Sequence, residues 1–182
     1  MVLGNEGNKS ENSISMRRNA DFWIQQLSLE KHIEGGSYRR SYTASLNISK
    51  DQLPLSFHGD RPVATSIYFL LEQQQFSAIH RIASDELWHF YFGDPLMVYE
   101  IDTNGKLIEH LLGNNPGNRE QFQCIVRAGS WFGSKVKVGG EYALVGCTVS
   151  PGFDFNDFEL GDRDALLSLY PQHSDTIHML TH

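Results

Sequence analysis

The sequence predicts a mainly β fold: a barrel or sandwich of antiparallel strands, with short helices near the two ends of the chain. Short runs in which apolar and polar residues alternate recur along its length, separated by Gly, Pro and Asn. Between two such runs stands Asp102-Thr103-Asn104-Gly105, whose Asn-Gly pair is the strongest hairpin signal in the chain because both residues tolerate positive φ. Helical rather than alternating spacing is confined to the two ends.

At the amino end, Met1 to Ser15 is Gly, Asn, Ser and charge with almost nothing to bury. Residues 1–18 are therefore expected to be a disordered leader and 19–182 a single domain. Phe22, Trp23 and Leu27 form one stripe behind Asn19, a natural N-cap, which predicts a short helix ending near Ser28. Gly35-Gly36 then bends the chain into an alternating stretch around Tyr38, where Glu34 and Tyr38 are the polar groups able to reach a pocket. Residues 45–62, broken by Pro54, Gly59 and Pro62, read as a loop covering a barrel mouth. Strands are expected over 63–71, 76–82, 87–92, 96–101, 106–112, 122–126, 130–133 and 142–149. Beyond Pro151-Gly152, Phe153, Phe155 and Phe158 sit among acids and must be buried against the barrel's outer wall or another subunit. Asp162 caps a helix over 163–169 and a last helical turn follows over 174–180. His173, His178 and His182 are expected to be solvated on a frayed end.

At 182 residues the chain is long enough to bury a core without disulfide or metal staples. A net charge of -7 with no clustered basic surface excludes nucleic acid as a partner. Cys124 and Cys147, far apart in apolar contexts, read as buried free thiols. No apolar run approaches the length of a transmembrane helix, and the amino terminus lacks the apolar core of a signal peptide. These features make the cytoplasm the expected compartment, with no membrane partner.

The chemistry concentrates between Phe76 and Pro95, two strands joined by Ala83-Ser84-Asp85. Alternation puts His80 on the apolar, inward face of the first strand, with Phe76, Ala78 and Ile82. In the second, Glu86, Trp88 and Phe90 share one face, while Leu87, His89 and Tyr91 share the other. Strict alternation keeps Glu86 and His89 from facing one cavity; only a bulge would change that.

These residues resemble the cupin superfamily of small jelly-roll barrels. Its first motif has a pair of histidines one residue apart, then a glutamate and a glycine. Here His80 takes the first histidine position, Ile82 the second, and Glu86 is followed by six residues and Gly93. The second motif is echoed by Arg127-Ala128-Gly129, with Phe132 at its histidine position. From Phe22 to about His173 the chain is similar to the cupin-like branch called cupin-5. The matching words are Glu34-Gly35-Gly36-Ser37-Tyr38, Ser84-Asp85-Glu86-Leu87-Trp88-His89-Phe90-Tyr91, Gly93-Asp94-Pro95-Leu96, Ala128-Gly129-Ser130-Trp131-Phe132 and the stretch from Tyr142 to Phe153. The resemblance implies a jelly-roll antiparallel β-barrel with short terminal helices, a small-molecule pocket and a homodimer. In shape it implies kinship with nucleotide-sugar epimerases and seed-storage proteins.

Three chemistries remain open on these residues. In a metal-free acid–base site, His80 is the base, Glu86 or Asp85 orients it, and Tyr38 or Tyr68 returns the proton. Trp88, Trp131 and Phe132 supply flat walls, with Glu34, His89 and Ser130 as further ligand contacts. In a metal-dependent site, a divalent ion is held by His80, Glu86 and His89, or completed by Tyr38 or Glu34, since Ile82 and Phe132 cannot coordinate. In a binding module, the same pocket holds a small molecule without chemistry. The leading expectation is a pocket without a cofactor for a small polar or aromatic metabolite, with epimerase-like or isomerase-like proton transfer.

Overall fold

The computed structural model describes residues 18–182, so all but Arg18 of the expected leader lies outside the described residues. In chain order the elements are α1 (Ala20–Gln26), β1 (Glu30–Lys31), β2 (Ser37–Thr43), β3 (Asn47–Ile48), β4 (Arg61–Pro62), β5 (Thr65–Glu72), β6 (Phe76–Ile82), β7 (Asp85–Gly93), β8 (Leu96–Ile101), β9 (Leu107–Leu112), β10 (Gln123–Val126), β11 (Trp131–Val136), β12 (Tyr142–Ser150), β13 (Phe158–Leu160), α2 (Arg163–Leu169) and α3 (Ser174–Met179). The strands form a six-stranded sheet ordered β1-β2-β5-β12-β7-β10, a five-stranded sheet ordered β13-β6-β11-β8-β9, and the small β3-β4 pair. Neighbouring strands in both large sheets are antiparallel. Two such sheets face to face make the predicted jelly roll.

Period-two alternation builds the core between them. Phe69 of β5, Trp88 and Phe90 of β7, Leu96 and Val98 of β8, and Phe132 of β11 meet there. The outer faces are covered by the helices. Trp23 and Ile24 of α1, with Leu27 just after it, pack on Leu70, Tyr142 and Leu144 of the six-stranded sheet. Leu166 of α2 and Ile177 of α3 pack on Ile79, Ile101 and Trp131 of the five-stranded sheet. Both predicted caps are made: Phe22 N–H donates to Asn19 Oδ1 at 3.0 Å and Ala165 N–H to Asp162 Oδ1 at 2.9 Å. Cys124 and Cys147 are buried free thiols. Among the described residues no helix is long and apolar enough to cross a membrane.

Some expectations needed correction. In the β8–β9 hairpin Gly105 alone takes positive φ, at 79°. Asp102 and Lys106 still pair, so the connection is a three-residue loop, with Asp102 Oδ1 accepting the Asn104 and Lys106 N–H groups at 2.9 Å each. The carboxyl end is not frayed. Ile177 and Leu180 are wholly buried, and Arg163 Nε donates to Thr181 Oγ1 at 2.8 Å. His173 Nε2 lies 2.9 Å from the Gly105 carbonyl, which ties the helical end to the hairpin. The terminal helix is thus part of the fold. Ile177→Ala should cost about 2–4 kcal/mol in urea unfolding, the range for a truncated core aliphatic; a cost below about 0.5 kcal/mol, typical of a surface site, would mean α3 is dispensable.

Candidate functional site

A cavity of about 40 Å³ opens at one end of the barrel, lined by Tyr38, His80, Glu86, Cys147 and Phe153 among others. That is room for about three waters or a small ligand. Strand register explains who lines it. On the inner face of the six-stranded sheet, Thr65, Val149 and Glu86 stand in one row across β5, β12 and β7. Arg40, Ile67, Cys147 and Trp88 form the next, and Tyr38, Phe69, Val145 and Phe90 the third. His80 reaches in from β6 of the opposite sheet, where it pairs with Phe132.

His80 is 3 % exposed and held from several sides. Its ring lies 4.1 Å from Phe132 and 5.3 Å from Phe158, centroid to centroid. Its Nδ1–H stands between two acceptors, the Ala78 carbonyl at 2.7 Å and Glu34 Oε2 at 2.8 Å. Glu34 is brought there by the turn before β2. Gly35 has φ of 112°, and a Cβ on it would sit 2.0 Å from the Phe76 carbonyl oxygen, so only glycine lets the turn press against β6. Ala78 N–H locks the turn by donating to the Glu34 carbonyl at 2.7 Å.

The electrostatics follow from these contacts. Burial disfavours both charged forms, yet each partner overrides it: Glu34 is held below the usual carboxylate range by His80, and His80 is raised by Glu34. The contact therefore favours the imidazolium and carboxylate forms of the pair. Glu86 is pushed up to about 7 by burial, with the His80 charge offsetting part of it and Glu34 adding to it. The Cys147 thiol lies beside it, raised by its own burial and by the Glu86 charge. His32 accepts the Glu34 backbone N–H at Nδ1, 3.3 Å away, and burial lowers it. Its 3.2 Å approach to Glu34 Oε1 is thus proximity to a neutral ring rather than an ion pair.

The structure brings Glu34, Tyr38, His80 and Glu86 to one cavity and leaves the other named residues elsewhere. Trp88 and Phe132 lie beneath it in the core, edge to face at 6.4 Å. Tyr68 is on the outer side of β5, 6.0 Å from Tyr91. His89 is on the outer side of β7, within 3.2 Å of Thr148 Oγ1 and accepting from Gln123 Nε2 at 2.9 Å. No bulge overturns the alternation there. Trp131 faces the helices with Arg81 over its ring at 4.5 Å, and Ser130 is buried beside Glu100, which it helps keep ionised. Asp85 cannot orient His80, because it is engaged outside the barrel by Arg127 at 2.8 Å.

The flat walls come instead from Phe153, Phe155 and Phe158, packed edge to face around the mouth. Those phenylalanines cover the pocket rather than the barrel's outer wall. The 45–62 segment does not line the cavity; it buttresses this cover, with Arg61 Nε donating to Asp157 Oδ2 at 2.6 Å and His58 N–H to Asp157 Oδ1 at 2.9 Å. His32, Arg40 and Cys147 were not anticipated at the site. For Arg40 and Cys147 the signal was available, since alternation places them with Tyr38 and with Trp88's neighbours.

A cupin-type metal site does not fit these residues. Phe132 fills the space beside His80, Ile82 belongs to the core, and His89 faces away. Among the described residues no group of three or more His, Cys, Asp or Glu is placed to hold a metal ion.

The pKa shifts fix how stability depends on pH. Glu34, depressed, contributes stability above the ordinary carboxylate range, lost as pH falls through its folded value. His80, raised, contributes below its ordinary 6.5, lost as pH rises through its folded value. Glu86, raised from 4.5 to about 7, keeps a proton that the unfolded chain releases, so stability falls as pH climbs across that interval. Urea unfolding should show a loss of about 3 kcal/mol from Glu86 between roughly pH 5 and pH 8, and Glu86→Gln should flatten that part of the slope. An unchanged slope in the variant would show that Glu86 does not titrate there.

The family model described as Cupin superfamily (DUF985) matches residues 21–161. A solved structure from Shewanella oneidensis is 41% identical, with a TM-score of 0.81, covering 91% of this chain and 98% of that one. A hypothetical protein from Leishmania major is 34% identical, with a TM-score of 0.83, covering 91% of this chain and 99% of its own. Oxalate decarboxylase from Bacillus subtilis shares the fold alone, at 14% identity and a TM-score of 0.50 over 82% of this chain and 36% of that one. Among curated proteins none matches. With the jelly roll, the pocket and these matches together, the chain belongs to the Cupin superfamily (DUF985) family.

Proposed function

We propose that the chain binds a small polar or aromatic metabolite at the barrel mouth and moves a proton on it without a metal, in the manner of an epimerase or isomerase. One observation carries the reading: three buried ionisable side chains, Glu34, His80 and Glu86, line a single cavity. Burying such groups together is costly, and a cluster of them in a cleft marks a functional site.

The roles follow from the charge states. His80, drawn toward its protonated form by Glu34, stabilises negative charge developing on a carbonyl oxygen. The accepting role passes to Glu86, whose value of about 7 suits it to take and return a proton near neutrality. The Tyr38 hydroxyl, on the cavity wall formed by β2, is a second proton donor. Phe153 and Phe155 shield the reacting carbon from bulk water.

Native mass spectrometry of the full chain would identify any retained molecule and test the homodimer that the resemblance implies. That molecule, or otherwise a panel of small hydroxy- and oxo-acids, would be incubated with the protein in D₂O and followed by NMR. Deuterium should enter at the carbon next to the carbonyl, and Glu86→Gln and His80→Ala should each slow this by about a hundredfold or more. Binding without any exchange would favour the non-catalytic reading, which the small cavity also accommodates.

A further inference from the structure

The mouth of the pocket carries a positive charge that no carboxylate among the described residues pairs with. Arg40 of β2 faces the same side as Tyr38 and lines the cavity, its guanidinium carbon 5.9 Å from the centre of the Phe153 ring. Three other arginines are matched to carboxylates, Arg61 to Asp157, Arg81 to Glu159 and Arg127 to Asp85, while Arg39 lies over Tyr68 on the outer face and Arg163 bonds Thr181, away from the cavity. The two carboxylates of the cavity do not neutralise Arg40. Glu34 is faced by His80, and Glu86 lies three strands away on β7, in the row of Thr65 and Val149.

We propose that Arg40 anchors the ligand by a carboxylate group, so that the pocket takes a small monocarboxylate whose other end reaches toward Glu86. The inference rests on the reading that this cavity is the ligand site. A guanidinium fork matches a carboxylate with two parallel hydrogen bonds, and the Phe153 ring supports the guanidinium at the rim. In a chain of net charge -7, an unmatched cation at the mouth gives a small anion a local reason to enter. A phosphate dianion suits the site less well, because its second charge would meet the partly ionised Glu86 in a cavity of about 40 Å³. The size favours a ligand of few atoms.

The test is calorimetric titration of the full chain with acetate, pyruvate and benzoate, each against its neutral amide, and with inorganic phosphate. At least one carboxylate should bind about tenfold more tightly than its amide. That preference should shrink to within about twofold in Arg40→Ala and persist in Arg39→Ala, whose guanidinium lies over Tyr68 on the outer face. No carboxylate preference, a preference unchanged by Arg40→Ala, or phosphate binding more tightly than every carboxylate would each overturn the proposal. The D₂O experiment separates the two claims. Carboxylate selectivity through Arg40 without exchange removes the catalytic reading alone, and exchange on a bound neutral amide removes this one alone.

Discussion

The contact between Glu34 and His80 is the interaction on which the site depends. Both are almost fully buried, and neither charge is tolerable there alone: burial pushes a carboxyl toward neutrality and an imidazolium toward deprotonation. Together they hold each other ionised at 2.8 Å. The pair exists because a turn crosses from one sheet to the other. Gly35 lets the chain before β2 press onto β6, Gly36 lets it lie close against β5, and the Ala78 N–H fastens it. Had the turn carried side chains, Glu34 would stand off, and His80 would lose the charge that keeps it protonated.

Around that pair, the geometry of two twisted sheets does the sorting. Every inward position on β2, β5, β12 and β7 falls into rows, and the rows nearest the mouth are the ones that carry Glu86, Cys147 and Arg40. Deeper rows are hydrocarbon and aromatic, closing the barrel behind the cavity. The aromatic cover is secured from outside by the buried Arg61–Asp157 pair, so the mouth is bounded by a fastened segment rather than by a loose loop.

Much of the fold was legible because its signals are local. The strands over 76–82 and 96–101 fall where alternation puts them, and Asn19 and Asp162 cap the helices they precede. Alternation also kept Glu86 and His89 on opposite faces, which the structure bears out. What stayed hidden depends on contacts between segments distant in sequence. Asp85 adjoins Glu86 in the chain, but Arg127, just beyond β10 of the same sheet, draws it outward; Glu34 is far from His80 in sequence yet touches it. The acidic stretch around Phe153 and Phe158 announced that its rings need burial, but not that the pocket itself provides it. Trp131 shared a word with Phe132, and a strand sends neighbours to opposite sides.

The residues that depart from the metal-binding pattern and those that make the ion pair belong to one physical arrangement. A coordinated cation requires neutral imidazole lone pairs and an open space among them. Here the space is filled by Phe132 against one side of His80 and Phe158 against another. Glu34 draws the remaining imidazole toward its protonated form, in which its Nδ1 has no lone pair to give a metal. Glu86 is pushed up to about 7 by its burial, with the His80 charge offsetting part of the rise. Restoring a histidine at one position would not by itself recreate a coordination site, because His80 would first have to surrender its proton against the field of Glu34.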